Sequence, residues 1–269
     1  MNTANSPLWM NRRKTLPAQT ANRPALSFSR LNNLRRFSPF SPPGHARLPS
    51  AGKTLKTIPT RVTACPEVVH MAVPLILASG SAIRADLLRR AGLDFTIQVP
   101  RVDEDTVRRS LEASQATARD IADALAEMKA RRIADKNPAG MVLGCDQVLD
   151  LGGAILAKPE SPEQAVEQLT AMQGRPHQLL SAAVLYEDAR PVWRHVGVVR
   201  MQMRALSPGF IKGYVARNWD SVRHSVGAYK LEEEGVRLFS KIDGDVFSIL
   251  GMPLIEFLNY LDTRGLLDT

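Results

Sequence analysis

From residue 74 onward, short apolar runs alternate with stretches of helical period, and this alternation confines the chain to a few architectures. Pro74-Leu-Ile-Leu-Ala-Ser79 reads as a buried strand closed by a Ser79-Gly80-Ser81 turn. Residues 82–91 then read as a helix, with Ile83, Leu87 and Leu88 on one face and Gly92 as its stop. Phe95–Val99 is a second strand, 117–134 a long amphipathic helix, and Met141–Leu149 a third apolar strand. Gly152-Gly153 turns the chain back into a hairpin partner at 154–157. Ser161 caps a helix to Met172, with Pro162 at its first position. Strands at 179–186 and 192–203 follow, then a helix from Ser207 to Trp219. Further strands are expected at 236–242 and 246–250, and Pro253 opens the last helix, to Leu261. Helices between strands, with several strand pairs reading as hairpins, predict an α/β domain with a mixed twisted sheet flanked by helices.

Charge divides the chain. Residues 1–70 hold 11 Lys and Arg against one acid, Glu67, whereas the remaining 199 residues hold 24 basic and 26 acidic side chains. The net charge of +8 therefore belongs to the N-terminal segment, and the mildly acidic body gives no reason to expect nucleic acid as a partner. That segment is rich in Arg, Pro, Ser, Asn and Thr and lacks a sustained apolar period, so it is expected to be a disordered basic extension. Three readings stay open for it: an organelle transit peptide, a basic arm, or sequence upstream of a start at Met71. The domain is expected to occupy 71–269. No run of 18 apolar residues exists, so no membrane partner is expected, and two cysteines, Cys65 and Cys145, fit a reducing, cytoplasmic setting.

Candidate chemistry sits at strand ends and turns, where groups converge beside an open sheet. The Ser79-Gly80-Ser81 turn opens a helix; its N–H groups and the helix dipole favour an anion, and Arg84 is placed to fork onto phosphate. An ordinary Ser cap with a surface Arg fits the same residues. Asp146 emerges from a buried run, either capped structurally or poised for base or metal work, with Gln147 beside it. Lys158-Pro159 follows the hairpin and is either a solvated loop lysine or a phosphate contact. Asp103-Glu104-Asp105 reads as an acidic helix start, and Glu104 offers oxygen to a hard divalent ion. His177, His195 and His224 show no metal spacing, and no phosphate loop of the Gly-x4-Gly-Lys-Ser/Thr type is present.

In order along the chain, Leu75-Ile-Leu-Ala-Ser-Gly-Ser81, Val102-Asp-Glu104, Gly144-Cys-Asp-Gln-Val148, Lys158-Pro159, Gly227-Ala-Tyr-Lys-Leu-Glu232 and Leu250-Gly-Met-Pro-Leu254 resemble the Maf family of nucleoside triphosphate pyrophosphatases. The resemblance implies a single Maf/inosine-triphosphatase-like domain. It also implies hydrolysis between the α- and β-phosphates with a divalent cation, Mg or Mn, and a house-cleaning enzyme that is often a homodimer. By position, Asp146 would accept the proton and, with Glu104, hold the metal. Ser79, Gly80, Ser81, Arg84, Lys129, Gln147, Lys158, Lys230 and Glu232 would bind substrate. Where the family often has Pro-Arg-Arg after the serines, Ala82-Ile83-Arg84 stands here. Gln147 stands where many members have Thr, and Glu232 where many have Gln, which resembles the 7-methyl-GTP branch more than the dTTP/UTP branch. A nucleotide-binding regulator of cell division without turnover is the alternative from another class. An ionised carboxylate only accepts hydrogen bonds, so Glu232 suits the adjacent N1–H and N2 amino donors of guanine rather than uracil or thymine.

Overall fold

The computed structural model describes residues 73–267. The disorder expected of residues 1–70 lies outside the described residues.

Seven strands among the described residues form one mixed sheet. β1 (Leu75–Ala78), β2 (Phe95–Ile97) and β3 (Met141–Leu151) pair in parallel, with β1 between the other two. Parallel neighbours need crossovers. These are supplied by α1 (Ala82–Arg90) between β1 and β2, and by α2 (Glu104–Ala113) and α3 (Ala118–Ala134) between β2 and β3. The sheet then turns antiparallel. β4 (Ala154–Leu156) folds back on β3 through Gly152-Gly153, as the glycine pair predicts. After α4 (Pro162–Met172), β5 (Pro176–Glu187) pairs with β3 over nine residues, and β6 (Arg190–Met203) pairs with β5. α5 (Pro208–Val222) leads through short 3₁₀ turns at Val226–Ala228 and Glu234–Leu238 into β7 (Phe239–Asp243) at the edge beside β6. α6 (Val246–Ile249) and α7 (Leu254–Thr263) complete the described chain.

Two expectations need correction. The strand expected at 236–242 begins only at Phe239, because residues 234–238 wind into a 3₁₀ turn. The strand expected at 246–250 is the short helix α6: Gly244 ends β7 at φ 145°, and the Asp245 carboxylate accepts from Ser248 N at 2.8 Å, capping a new turn.

β3 is the spine on which the core divides. Its even residues Val142 and Val148 pack under α3, with Ile121, Leu125 and Ile133. Its odd residues face the other way. Leu143 and Cys145 meet α1 and α7, and Leu149 and Leu151 meet α4 and α5. This is the two-residue period of a strand buried on both faces.

Candidate active site

Gly144 brings α3 onto the sheet. A Cβ there would overlap the carbonyl of Ala126 and lie 2.6 Å from Ala130 N. With no side chain on the strand, and Ala122, Ala126 and Ala130 buried along the helix, backbone approaches backbone. That approach delivers Lys129 to Asp146. The Lys129 Nζ donates to Asp146 Oδ1 at 2.6 Å and lies 2.9 Å from Glu104 Oε2 at the start of α2. The Lys129 and Asp146 side chains are only 8% and 10% exposed, while Glu104 is 45% exposed and faces solvent. Burial pushes the Asp146 carboxyl above the usual carboxylate range, against the opposing pull of the Lys129 and Arg84 charges. The result is a buried carboxylate whose ionised form is held by a lysine.

The serine turn lies alongside. Ala78 is in register with Gly144, so the chain leaving β1 enters its turn beside Cys145 and Asp146. Ser79 is buried; its Oγ accepts from Ser81 N and from Arg84 Nη1, both at 3.2 Å, and Ser81 caps α1. The phosphate fork expected of Arg84 is instead largely turned on the protein: Nε donates to Gly251 O at 2.8 Å and Nη1 to Cys145 O at 3.0 Å. Arg84 thereby ties the turn to β3 and to the chain before α7, and its charge still acts on Asp146. Gly80 is exposed, and a Cβ there would meet only Val99, at an ordinary 3.5 Å. Protein packing therefore does not call for glycine at that position.

Gln147 faces away from Asp146, as its strand neighbour must. Its Nε2 lies 3.0 Å from Ser181 Oγ, 3.1 Å from Ser248 O and 2.9 Å from Ile249 O, so the amide clamps α6 rather than pointing at the Lys129 cluster. Lys158 is exposed beyond β4. Lys230 donates to Ser221 Oγ at 2.8 Å and lies 3.4 Å from Glu233. Of the acidic run, Glu234 is bound by Arg217, Asn218 and Arg237, whereas Glu232 is exposed and forms no hydrogen bond or ion pair among the described residues. Among the described residues, no hydrogen bond or ion pair joins Lys158, Lys230 or Glu232 to the Lys129 cluster. Ser79, Arg84, Glu104, Lys129 and Asp146 form one constellation, with Gly80 and Ser81 in the same serine turn; no hydrogen bond or ion pair among the described residues joins the side chains of Gln147, Lys158, Lys230 or Glu232 to it.

Gly144, Ser181 and the 248–251 turn were not among the expected residues. A glycine inside a buried strand marks close backbone approach, and that signal was available at Gly144. His177 is buried against Tyr229, 3.0 Å from its hydroxyl, and burial lowers its pKa to about 4. It is a neutral core residue. Cys145 is buried too, its thiol pushed up to about 11.

Asp146 and Glu104 present carboxylate oxygens to a single position, the one the Lys129 ammonium fills, and this hard donor pair fits Mg²⁺ or Mn²⁺. No group of three or more His, Cys, Asp or Glu side chains converges on a cation among the described residues, so a metal there would have at most two such ligands. Among the described residues no helix is long and apolar enough to cross a membrane.

A family model described as Maf-like protein matches residues 74–264. A nucleoside triphosphate pyrophosphatase of Ruegeria pomeroyi is 67% identical over 199 residues, covering 74% of this chain and all of the relative. One of Roseobacter denitrificans is 60% identical over 195 residues, 72% of this chain and 98% of the relative. A 7-methyl-GTP pyrophosphatase of Brucella abortus is 46% identical over 198 residues, 74% of this chain and all of the relative.

Proposed function

This chain belongs to the Maf-like protein family, and we propose that it is a nucleoside triphosphate pyrophosphatase, releasing pyrophosphate and a nucleoside monophosphate. The observation that carries the chemistry is the buried Asp146 carboxylate held by Lys129 beside an anion-suited turn. Hydrolysis of an anhydride between two anionic phosphates needs a group to take a proton from water and cations to offset charge. Asp146 takes the proton from the attacking water as its oxygen adds at phosphorus. The anhydride P–O bond then breaks and pyrophosphate leaves. The raised proton affinity of Asp146 suits it to that step. Lys129 stabilises the charge on Asp146 and lies within reach of the phosphates. The α1 dipole at the serine turn favours an anionic group there, and Gly80 leaves the space for it. Glu104 and Asp146 would hold a divalent ion, which supplies Lewis-acid charge stabilisation when bound.

For the base we propose a guanine type, such as 7-methyl-GTP. The support is the exposed Glu232 carboxylate, free to accept from two adjacent donors, and the name of the Brucella relative. The test is pyrophosphate release by the full chain from 7-methyl-GTP, GTP, UTP and dTTP, in the natural sequence and in Glu232→Gln. A preference for the guanine nucleotides that falls by about ten- to a hundredfold in the variant is expected. UTP or dTTP as best substrate refutes the base assignment, and no pyrophosphate from any nucleotide refutes the activity.

A further inference from the structure

The point where the two site carboxylates converge already holds a positive charge. Lys129 Nζ sits 2.6 Å from Asp146 and 2.9 Å from Glu104, on a side chain 92% removed from solvent. Resting on the pyrophosphatase reading, we propose that Lys129 is the resident cation of the free enzyme: it keeps a divalent ion from binding alone and couples entry of the ion to entry of the nucleotide.

The charge balance points this way. Asp146 and Glu104 carry two negative charges; Lys129, together with Arg84, whose charge acts on Asp146, carries two positive ones. The cluster is neutral as it stands. A divalent ion alone would leave two uncompensated positive charges beside the buried Asp146 carboxylate, which is costly. A triphosphate brings the missing negative charge with it. The donor count agrees. A hard divalent ion takes about six oxygens, and among the described residues no third acidic, His or Cys side chain converges there. Phosphate oxygens and water are suited to supply the rest. Lys129 has a second position open to it, because a lysine ammonium is a point charge on a flexible four-carbon stem. With an ion held by Asp146 and Glu104, the same ammonium would turn to a phosphate oxygen. Removing the ammonium should therefore uncover a site for the metal alone, though one without the lysine that meets the phosphates.

The experiment uses the full chain with Mn²⁺ as the probe. Free Mn²⁺ is followed by electron paramagnetic resonance as protein is added, without nucleotide. In parallel, an α,β-methylene analogue of GTP is titrated calorimetrically, in EDTA and in Mn²⁺. For the natural sequence, Mn²⁺ alone should leave the free-ion signal nearly unchanged, and Mn²⁺ should tighten the analogue about tenfold or more, within the usual span of coupling between ligands. Lys129→Met keeps most of the unbranched apolar stem and removes the charge, and should bind Mn²⁺ alone about tenfold more tightly than the natural protein. Tight binding of Mn²⁺ alone by the natural protein, or no gain in Lys129→Met, overturns the proposal while leaving pyrophosphate release intact. If Lys129→Met does not fold, the two titrations of the natural protein still decide. Absence of pyrophosphate release from every nucleotide overturns the functional reading instead, whatever Mn²⁺ does.

Discussion

Adding one methyl group at Gly144 should separate the two halves of the site. Gly144 lies within β3 and is not among the glycines at positive φ, so the cost of Gly144→Ala is space and not backbone strain. The new Cβ would overlap Ala126 O and lie 2.6 Å from Ala130 N and 2.8 Å from Ala130 Cβ. Restoring ordinary contact near 3.5 Å requires α3 to lift by roughly 1 Å, because backbone cannot rotate aside as a side chain can. Overpacking of this kind costs about 1–3 kcal/mol. At about 2–4 °C per kcal/mol for a domain of this size, the melting temperature should fall by roughly 2–12 °C. The same lift draws Lys129 away from Asp146, and a displacement of about 1 Å in a catalytic group can cost about a hundredfold in rate. Gly80→Ala is the control: its Cβ meets only Val99 at 3.5 Å, so the melting temperature should hold, and any loss of activity reports ligand approach. Differential scanning calorimetry and pyrophosphate release measure both effects. A Gly144→Ala protein with natural melting temperature and kcat would show that close approach of α3 does not build the site.

Asp146→Asn keeps shape but removes charge and basicity, and should lower kcat by about a hundredfold or more; in the natural protein the acid limb of the kcat/KM profile should lie above the ordinary carboxylate range, since burial raises the Asp146 pKa. Near-normal kcat in a folded Asn variant would show the base is misassigned. Removing residues 1–70, which have no core-forming pattern, should leave both melting temperature and turnover of the remaining 199 residues unchanged, and a large fall in either would refute this. His177 has a folded pKa depressed from 6.5 to about 4. The unfolded chain therefore gains a proton in this window and the native state does not, so stability present above pH 6.5 should fall by about 1.4 kcal/mol per pH unit as pH drops toward 4. In His177→Gln that slope should flatten in pH-dependent denaturant titrations, and an unchanged slope would assign the acid sensitivity elsewhere.

What was legible in the sequence follows from what period and turn chemistry encode. The strand at Met141, the Gly152-Gly153 hairpin and the Pro162 helix start each combine an apolar pattern with a punctuating residue, and all three stand in the structure. Val246-Phe-Ser-Ile-Leu250 is a short segment with four apolar residues around Ser248, and its period does not tell strand from helix. The deciding groups flank it: Asp245, which caps, and Gly244, which ends β7. In the site, Asp146 and Lys129 meet because α3 covers the even face of β3, a relation set by Gly144 and the alanines of α3. Gln147 beside Asp146 in sequence is not beside it in space, because one step along a strand changes face. For Arg84, the sequence shows a cation one turn into a helix, but not that two carbonyls from distant segments would engage it.

Those two carbonyls explain why the 248–251 turn matters to chemistry it does not touch. Arg84 Nε reaches Gly251 O, across 167 residues of sequence, while its Nη1 reaches Cys145 O and Ser79 Oγ. From the odd face of β3, Gln147 holds Ser248 O and Ile249 O, and from β5 the Ser181 hydroxyl donates to Ser248 O at 2.6 Å. Gly251 sits at φ 97°, where an L side chain is strained, and a Cβ there would press on Arg84 Nε at 3.2 Å. The turn before α7 is thus the fixed end of a bracket whose free end is the serine turn. The face of β3 toward α3 carries the charges, and the opposite face carries the hydrogen bonds that keep Ser79 and Arg84 next to Asp146. Such a bracket supplies the rigidity that a charge-balancing site requires, because donors that hold their positions need no reorganisation as charge develops.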